Sequence, residues 1–422
     1  MSTAYTGGRE AQVGSRPLTC PAPTVWAILR WGSPFEAMAM QETFPIDLDS
    51  LRAVLDQLNM GVYVTDRERR ILLWNRKAEE ITGHRAEDVV GKTCHEQVLN
   101  HVDHHGHRLC YTRLCPLYRA MMLERPGAEP EIVYASRPDG TRVAVSVSTA
   151  PLRDADGRVI GGIETFRDET RQVRDMEFAQ KIQRHLMPAA PPSLRGLRLE
   201  FRYYPHDLVG GDFYDILDVG DGRYGILIAD VRGHGVSAAL YTMWLKSLEM
   251  SIMSGEDAGV SRQDPARFLE ALNREFARYV VSDSFATACY GVLDERERAF
   301  SYANAGHPVP IRFRSADGAV EELKAHGLPL GIAAGESYGA DSIALSDGDT
   351  LLLYTDGATE VRGRGGELLG PGGLAGFLAS EARRSGANLP ERIYRRIMEW
   401  CGEVSLPDDV LLLSISAIEE VR

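Results

Sequence analysis

The chain has no run approaching roughly eighteen apolar residues, and its opening residues lack the basic-then-apolar order of a secretory signal. Neither a membrane span nor a leader is therefore expected, and the protein reads as cytoplasmic. Cysteine is scarce, with six in 422 residues, which argues against a disulfide framework and for free thiols or a metal site. Positive charge is not in excess: 47 Lys and Arg face 60 Asp and Glu, a net of -13. Such a surface should repel nucleic acid and anionic membrane, so a DNA-binding role is not expected. No cysteine is followed by Arg six residues later, which removes the thiolate loop of tyrosine phosphatases. Gly91-Lys92-Thr93 has Ala86 where a phosphate-binding loop needs glycine.

What is present is ample apolar content, 44%, in a length that suggests two or three domains. Residues 1–45 are rich in Gly, Pro, Ser and Thr without a sustained period and read as mostly disordered, with Trp26 to Trp31 able to dock. From Leu48 the pattern becomes globular. A helix over Leu51 to Leu58 leads into the strands Gly61 to Asp66 and Arg69 to Asn75, then a helical stretch stopped by Gly83. Three further strands follow: Glu131 to Arg137, the alternating Thr141 to Ala150, and Val159 to Asp168, separated by Asp-Gly turns. Strands first, short helices in the middle and a closing three-strand meander resemble a PAS sensor domain, with Asp168-Glu169-Thr170 at its acidic end.

Within this domain three cysteines and five histidines crowd into the 22 residues from Cys94 to Cys115. Thiolate and imidazole suit zinc, iron or an iron-sulfur cluster, so Cys94, Cys110 and Cys115 are candidate ligands with His104 or His101 as a further one. Fifteen residues and then four separate the cysteines, a spacing that matches no standard zinc-ribbon or ferredoxin pattern. Buried structural thiols are the competing reading.

Thr170 to Leu186 forms a polar helix whose apolar residues Val173, Met176, Ala179, Ile182 and Leu186 recur at spacings of three or four, and Pro188 stops it. A narrow stripe between two domains is what a two-stranded seam requires, so a homodimer through the PAS domain and this linker is expected.

In the second half, Ile226 to Ala229 read as a buried strand that delivers Asp230 into a glycine turn, and Leu351 to Tyr354 do the same for Asp356. Gly210-Gly211-Asp212 and Asp408-Asp409 are further acidic sites at strand ends. A carboxylate at the end of a buried strand needs either a structural hydrogen bond or a hard divalent cation, and four of them are what a two-cation oxygen site requires. Strands around Phe201, Ile216, Ile228, Ala288, Tyr302, Ile311, Leu352 and Leu412 are mixed with helices over Val236 to Met253 and Pro265 to Val281. Turns join most neighbours, so antiparallel sheets with helices outside are expected.

VGGDFYD, ADVRGHG, FATACYG, NAGHP, GLPLGI, YTDGATE and the closing DD, in that order, resemble the SpoIIE/RsbU-type branch of the type 2C metal-dependent serine/threonine phosphatases. Ile182-Gln183 and Leu186-Met187-Pro188 are similar to the end of that group's linker helix. Two departures stand out: Arg232 occupies a usually small position and Leu411 a usual threonine. The resemblance implies an α+β chain with a PAS domain (46–170), a signalling helix (171–192) and a phosphatase domain (193–422) of two packed antiparallel sheets flanked by helices. It further implies two Mg2+ or Mn2+ ions and a hydrolysis by activated water, with Asp230 bridging beside the Val231 carbonyl, Asp212 on one ion, Asp356 and Asp408 on the other, and Asp409 behind. The implied substrate is a phosphoserine or phosphothreonine on an anti-sigma-factor antagonist. His307 and His234 are read as ordering the loops rather than as acid catalysts. A non-catalytic partner-switching scaffold with a structural metal is the alternative.

Overall fold

A computed structural model describes residues 48–418 apart from 105, 234, 255–261, 282, 283, 325, 326, 385, 403–405 and 407. The expected disordered segment 1–45 and His234 lie outside the described residues. The chain divides into two units, Met1–Gln57 and Leu58–Arg422. Of the first, helix α1 (Leu48–Asp56) is described.

The second unit begins with an antiparallel sheet built from β1 (Gly61–Asp66), β2 (Ile71–Trp74), β3 (Glu131–Ser136), β4 (Arg142–Arg153) and β5 (Val159–Asp168), in the order β2-β1-β5-β4-β3. Between β2 and β3 run the helices α2 (Arg76–Thr82), α3 (Ala86–Val89) and α4 (Pro116–Met122), with a π-helical turn over Cys94–Val98. The start of α2 shows how local chemistry sets this arrangement. Asn75 Oδ1 accepts from Ala78 N at 2.9 Å as an N-cap and from Val62 N at 2.8 Å across the sheet, while Gly83 ends the helix at φ 76°. Tyr63, Trp74 and Phe166 pack against one another beneath the helices, with ring centroids 5.5 to 6.3 Å apart. β5 runs almost directly into α5 (Thr170–Leu186).

The C-terminal part is a sandwich of two antiparallel sheets. One has the order β13-β10-β9-β8-β7, from β7 (Asp212–Gly220), β8 (Arg223–Val231), β9 (Ala286–Asp294), β10 (Ala299–Ala305) and β13 (Asp341–Ala344). The other has the order β12-β11-β14-β15-β6, from β6 (Leu197–Tyr204), β11 (Ile311–Phe313), β12 (Val320–Glu322), β14 (Thr350–Tyr354) and β15 (Val410–Ala417). Helices α6 (Val236–Ser254) and α7 (Pro265–Tyr279) cover the first sheet, and α8 (Gly370–Ala382) and α9 (Leu389–Cys401) the second.

Period-two alternation explains why β14 and β15 read as continuous apolar runs. Leu351, Leu353, Leu411, Leu413 and Ile415 point into the core between the sheets, whereas Leu352, Tyr354, Val410 and Leu412 pack under α8 and α9. On α7 the buried residues Phe268, Leu269, Leu272 and Phe276 form one face, started by Asp264, which caps Ala266 N at 3.1 Å. The helix ends at Tyr279 rather than at the expected Val281, because Val280 turns extended at φ -63°, ψ 129°. The antiparallel, helix-flanked fold expected of the sequence is the fold found.

Candidate active site

Antiparallel pairing puts the end of one strand beside the start of the next, and this alone gathers the acidic residues. In β7 and β8, Asp212 stands directly opposite Asp230. In the other sheet Tyr354 pairs with Leu412, so Asp356 leaves β14 where Asp408-Asp409 enters β15. The crossing is tight: a Cβ on Gly357 would lie 1.9 Å from the Asp409 carbonyl oxygen, so only glycine fits there.

Two buried side chains tie the sheets together at this edge. Thr355 Oγ1 donates to Asp212 Oδ2 at 2.7 Å and accepts from Leu411 N at 3.0 Å. Asp409 accepts from His206 N at 2.7 Å, from Gly211 N at 3.0 Å and from the Tyr203 hydroxyl at 3.3 Å. Gly210 is obligatory for the same contact, since a Cβ there would lie 1.8 Å from Asp409 Oδ2. Asp409 is thus occupied in holding the Gly210-Gly211 loop.

Asp230, Asp356 and Asp408 line one cavity of about 330 Å3, together with His206, Arg232, Gly233, Phe285 and Thr287. Burial, then the neighbouring Asp356 and Asp408, push the Asp230 carboxyl up to about 7. Burial and Asp408 push Asp356 up to about 6. Asp212, only 2% exposed, is raised well above the usual carboxylate range by burial and by Asp230. These are carboxylates that need positive charge, and among the described residues no lysine lines the cavity to supply it. Arg232 lines the wall, its guanidinium 5.5 Å from the Phe285 ring centroid.

The donor set fits hard divalent cations, which take oxygen ligands and, for Mg2+, use one or two carboxylates while keeping waters. Among the described residues no group of three or more His, Cys, Asp or Glu is already drawn together as a metal cage. Asp212 and Val231 are not on the cavity wall: Asp212 stands behind, tied to Thr355, and the Val231 carbonyl faces Gly211. A larger cavity of about 610 Å3 lies elsewhere, lined by Arg198, Arg383, Arg384 and Arg392 among others, without converging carboxylates.

The contacts made by Thr355 and Gln183 escaped sequence reasoning. Thr355 lies inside the YTDGATE motif, but nothing local signals its cross-sheet bond. Gln183 of α5 is buried, donating to the Gly210 carbonyl at 2.8 Å and to Thr242 Oγ1 at 2.9 Å. The apolar stripe pointed instead to Ile182, which is 40% exposed. His307 is buried, with Nδ1 2.8 Å from Thr287 Oγ1 and its backbone N–H on Asn304. Burial lowers its ring to about 3, so it is neutral at pH 7.

The expected soft-metal set on Cys94, Cys110, Cys115 and His104 requires correction. The three cysteines are buried in the PAS core, but His104 is on the wall of a different cavity with Ile132, Tyr134, Val173 and Asp207. His95 and His101 are the histidines buried near them among the described residues, and the His101 backbone N–H donates to Cys110 Sγ at 3.2 Å. Val102 pairs with Arg108 and with Tyr134, and His104 between the first two is exposed.

Taken together, the sandwich and its acidic edge resemble a type 2C phosphatase domain, and the sheet before them resembles a PAS fold. Residues 220–417 match the family of stage II sporulation protein E (SpoIIE), and residues 55–174 match the PAS fold. The match over residues 220–417 takes in a little under half of the chain. It is 32% identical over 190 residues to phosphoserine phosphatase RsbP of Bacillus subtilis, covering 44% of this chain and 45% of that protein. To phosphoserine phosphatase RsbU of Bacillus subtilis it is 28% identical over 251 residues, 59% of this chain and 72% of that one. The SiaA-PP2C domain of Pseudomonas aeruginosa is similar at TM-score 0.52 and 26% identity, over 59% of this chain and 97% of that domain. The chain spans less than half the length of RsbP. Among the described residues no helix is long and apolar enough to cross a membrane.

Proposed function

We propose that this protein is a PAS-regulated phosphatase that hydrolyses phosphoserine or phosphothreonine on a partner protein. The observation that carries the proposal is the cavity on which Asp230, Asp356 and Asp408 converge, with no lysine among the described residues that line it. Asp230, Asp356, Asp408 and Asp212 would hold two Mg2+ or Mn2+ ions, which when bound neutralise these carboxylates, activate water and clamp phosphoryl oxygens. The protein's own part is positioning. Thr355 fixes the Asp212 carboxylate, Asp409 holds the loop that carries Gly211, and Arg232 offers a guanidinium to phosphoryl oxygens entering the cavity. The buried, neutral His307 keeps Thr287 oriented and has no proton to give at neutral pH.

The names of phosphoserine phosphatases RsbP and RsbU support phosphoserine as the substrate, and the resemblance of the ordered motifs makes an anti-sigma-factor antagonist the proposed carrier. Exposed Phe178 and Ile182 on α5 support a homodimer through this helix. The test is release of phosphate from a phosphoserine peptide with Mn2+ or Mg2+. Wild type should turn over, while Asp230→Asn and Asp356→Asn should lose orders of magnitude in rate with unchanged circular dichroism. A well-folded wild type without turnover would favour the non-catalytic scaffold.

A further inference from the structure

The second sheet has two ends, and the acidic site occupies one of them. Thr350 and Arg198 both pair with Ser416 at one end of β14, β15 and β6, whereas Tyr354 pairs with Leu412 toward the other, beyond which Asp356 and Asp408 lie. The cavity of about 610 Å3 opens at the first end. At about 3.3 Å of rise per residue, it is roughly 15–20 Å from those aspartates.

Four arginines line it, brought together from three elements: Arg198 on β6, Arg383 and Arg384 just after α8, and Arg392 in the first turn of α9. Among the described residues Asp347 is the carboxylate on the wall, and it is ion-paired with Arg298. Glu381 is buried, its Oε2 3.3 Å from Arg384 Nη1 and 3.2 Å from Arg392 Nε. Five guanidiniums against these two carboxylates leave a surplus of three positive charges, in a chain whose net charge is -13.

The surplus is local to the wall. Arg198 Nη1 donates to the Gly386 carbonyl at 2.9 Å and Arg392 Nη1 donates to the Ala387 carbonyl, so one turn of chain holds both guanidiniums side by side. Arg383 Nη2 donates to the Gly318 carbonyl at 3.5 Å, and its guanidinium lies 5.9 Å from the Phe313 ring centroid. Among the described residues neither Arg198 nor Arg383 pairs with a carboxylate. A guanidinium carries five donors in a planar fork that matches phosphate or carboxylate oxygens two at a time, so most of theirs remain to offer. Leu389 and Ile418 add apolar surface, and Thr350 and Ser416 add hydroxyls bonded to each other at 3.1 Å. The volume falls within the roughly 300–1,000 Å3 of small-molecule sites.

We propose that this cavity is an anion-binding site for a phosphorylated small molecule of the nucleotide class. Arg198, Arg383 and Arg392 hold its phosphates, and the apolar and hydroxyl-bearing wall receives its base and sugar. The site needs no metal, because the guanidiniums themselves supply the positive charge. That separates it from the acidic cavity, whose carboxylates repel an anion until cations are bound, and makes it independent of the phosphatase reading.

Isothermal titration calorimetry of the full-length chain with ATP in EDTA tests this, since the acidic cavity then has no ion with which to recruit phosphate. Expected is saturable binding of one ATP per chain, with adenosine and inorganic triphosphate each weaker by about tenfold or more. Arg383→Glu, at an exposed position, and Arg198→Gln, on a different element, should each weaken ATP binding by about tenfold or more, as loss of a hydrogen bond to a charged group does. Arg232→Ala, on the acidic cavity, should leave it unchanged. No saturable binding to the wild type, or loss in Arg232→Ala but not in Arg383→Glu, would overturn the proposal. Triphosphate binding as tightly as ATP would overturn the nucleotide class, and a hexaglutamate peptide binding more tightly than ATP would overturn it in favour of an acidic protein segment. The wild-type ligand series decides the matter even if neither arginine variant folds.

Discussion

Replacing Thr355 by valine keeps its shape and removes one hydroxyl that serves both sheets. That hydroxyl is fully buried, donating to Asp212 Oδ2 at 2.7 Å and accepting from Leu411 N at 3.0 Å. Valine leaves a buried N–H and a buried carboxylate oxygen unpaired at about 1–3 kcal/mol each, so a loss near 3 kcal/mol is expected. For a domain of this size that is roughly 6–12 °C in Tm. Thr355→Ser keeps both bonds and removes one methyl, which costs about 1 kcal/mol. Thermal and urea unfolding followed by circular dichroism in EDTA measures both variants without invoking catalysis. With Mn2+ present, the freed Asp212 should raise the metal concentration for half-maximal phosphatase activity about 10–100-fold in the valine variant, as loss of an outer partner commonly does. Equal stability of the valine and serine variants would refute the reasoning, because the hydroxyl would then bridge nothing that matters.

Three more outcomes follow from named contacts. Asp349 is held below the usual carboxylate range despite burial, by Arg312 at 2.7 Å and the backbone N–H groups of Ser315 and Ser346. A depressed folded pKa means its stabilisation is present above the unfolded value near 3.9 and lost as pH falls through the folded one, so Asp349→Asn should cost about 1.5–3 kcal/mol at pH 7 and much less in acid, read from urea midpoints against pH. Gln183→Ala removes the bonds to Gly210 and Thr242 and should lower phosphate release at least tenfold, while Gln183→Glu, which cannot donate to the Gly210 carbonyl, should not rescue it. Ile182→Glu, on the exposed side of α5, should leave the melting temperature within about 2 °C and shift light-scattering mass from dimer to monomer; an unchanged dimer would count against that interface.

Much of the molecule was legible from short-range patterns. The apolar runs of β8, β14 and β15, the α5 bounds and the turn at Gly83 are set by periodicity and by residues within a helical turn of each other. The ordered motifs also named the acidic residues before any pairing was known. What only the tertiary structure decided is which groups meet. Thr355 and Asp212 are 143 residues apart, and His206 and Asp409 are 203 apart. Sheet register brings them together, and register depends on partners that no local window contains. The same holds for Gln183, whose neighbours on the helix say nothing of the Gly210 carbonyl it reaches, and for His104, which composition grouped with the cysteines and the fold places on the wall of a different cavity. Periodicity is a property of a segment, whereas a site is a property of the ends of several segments held together by a common core.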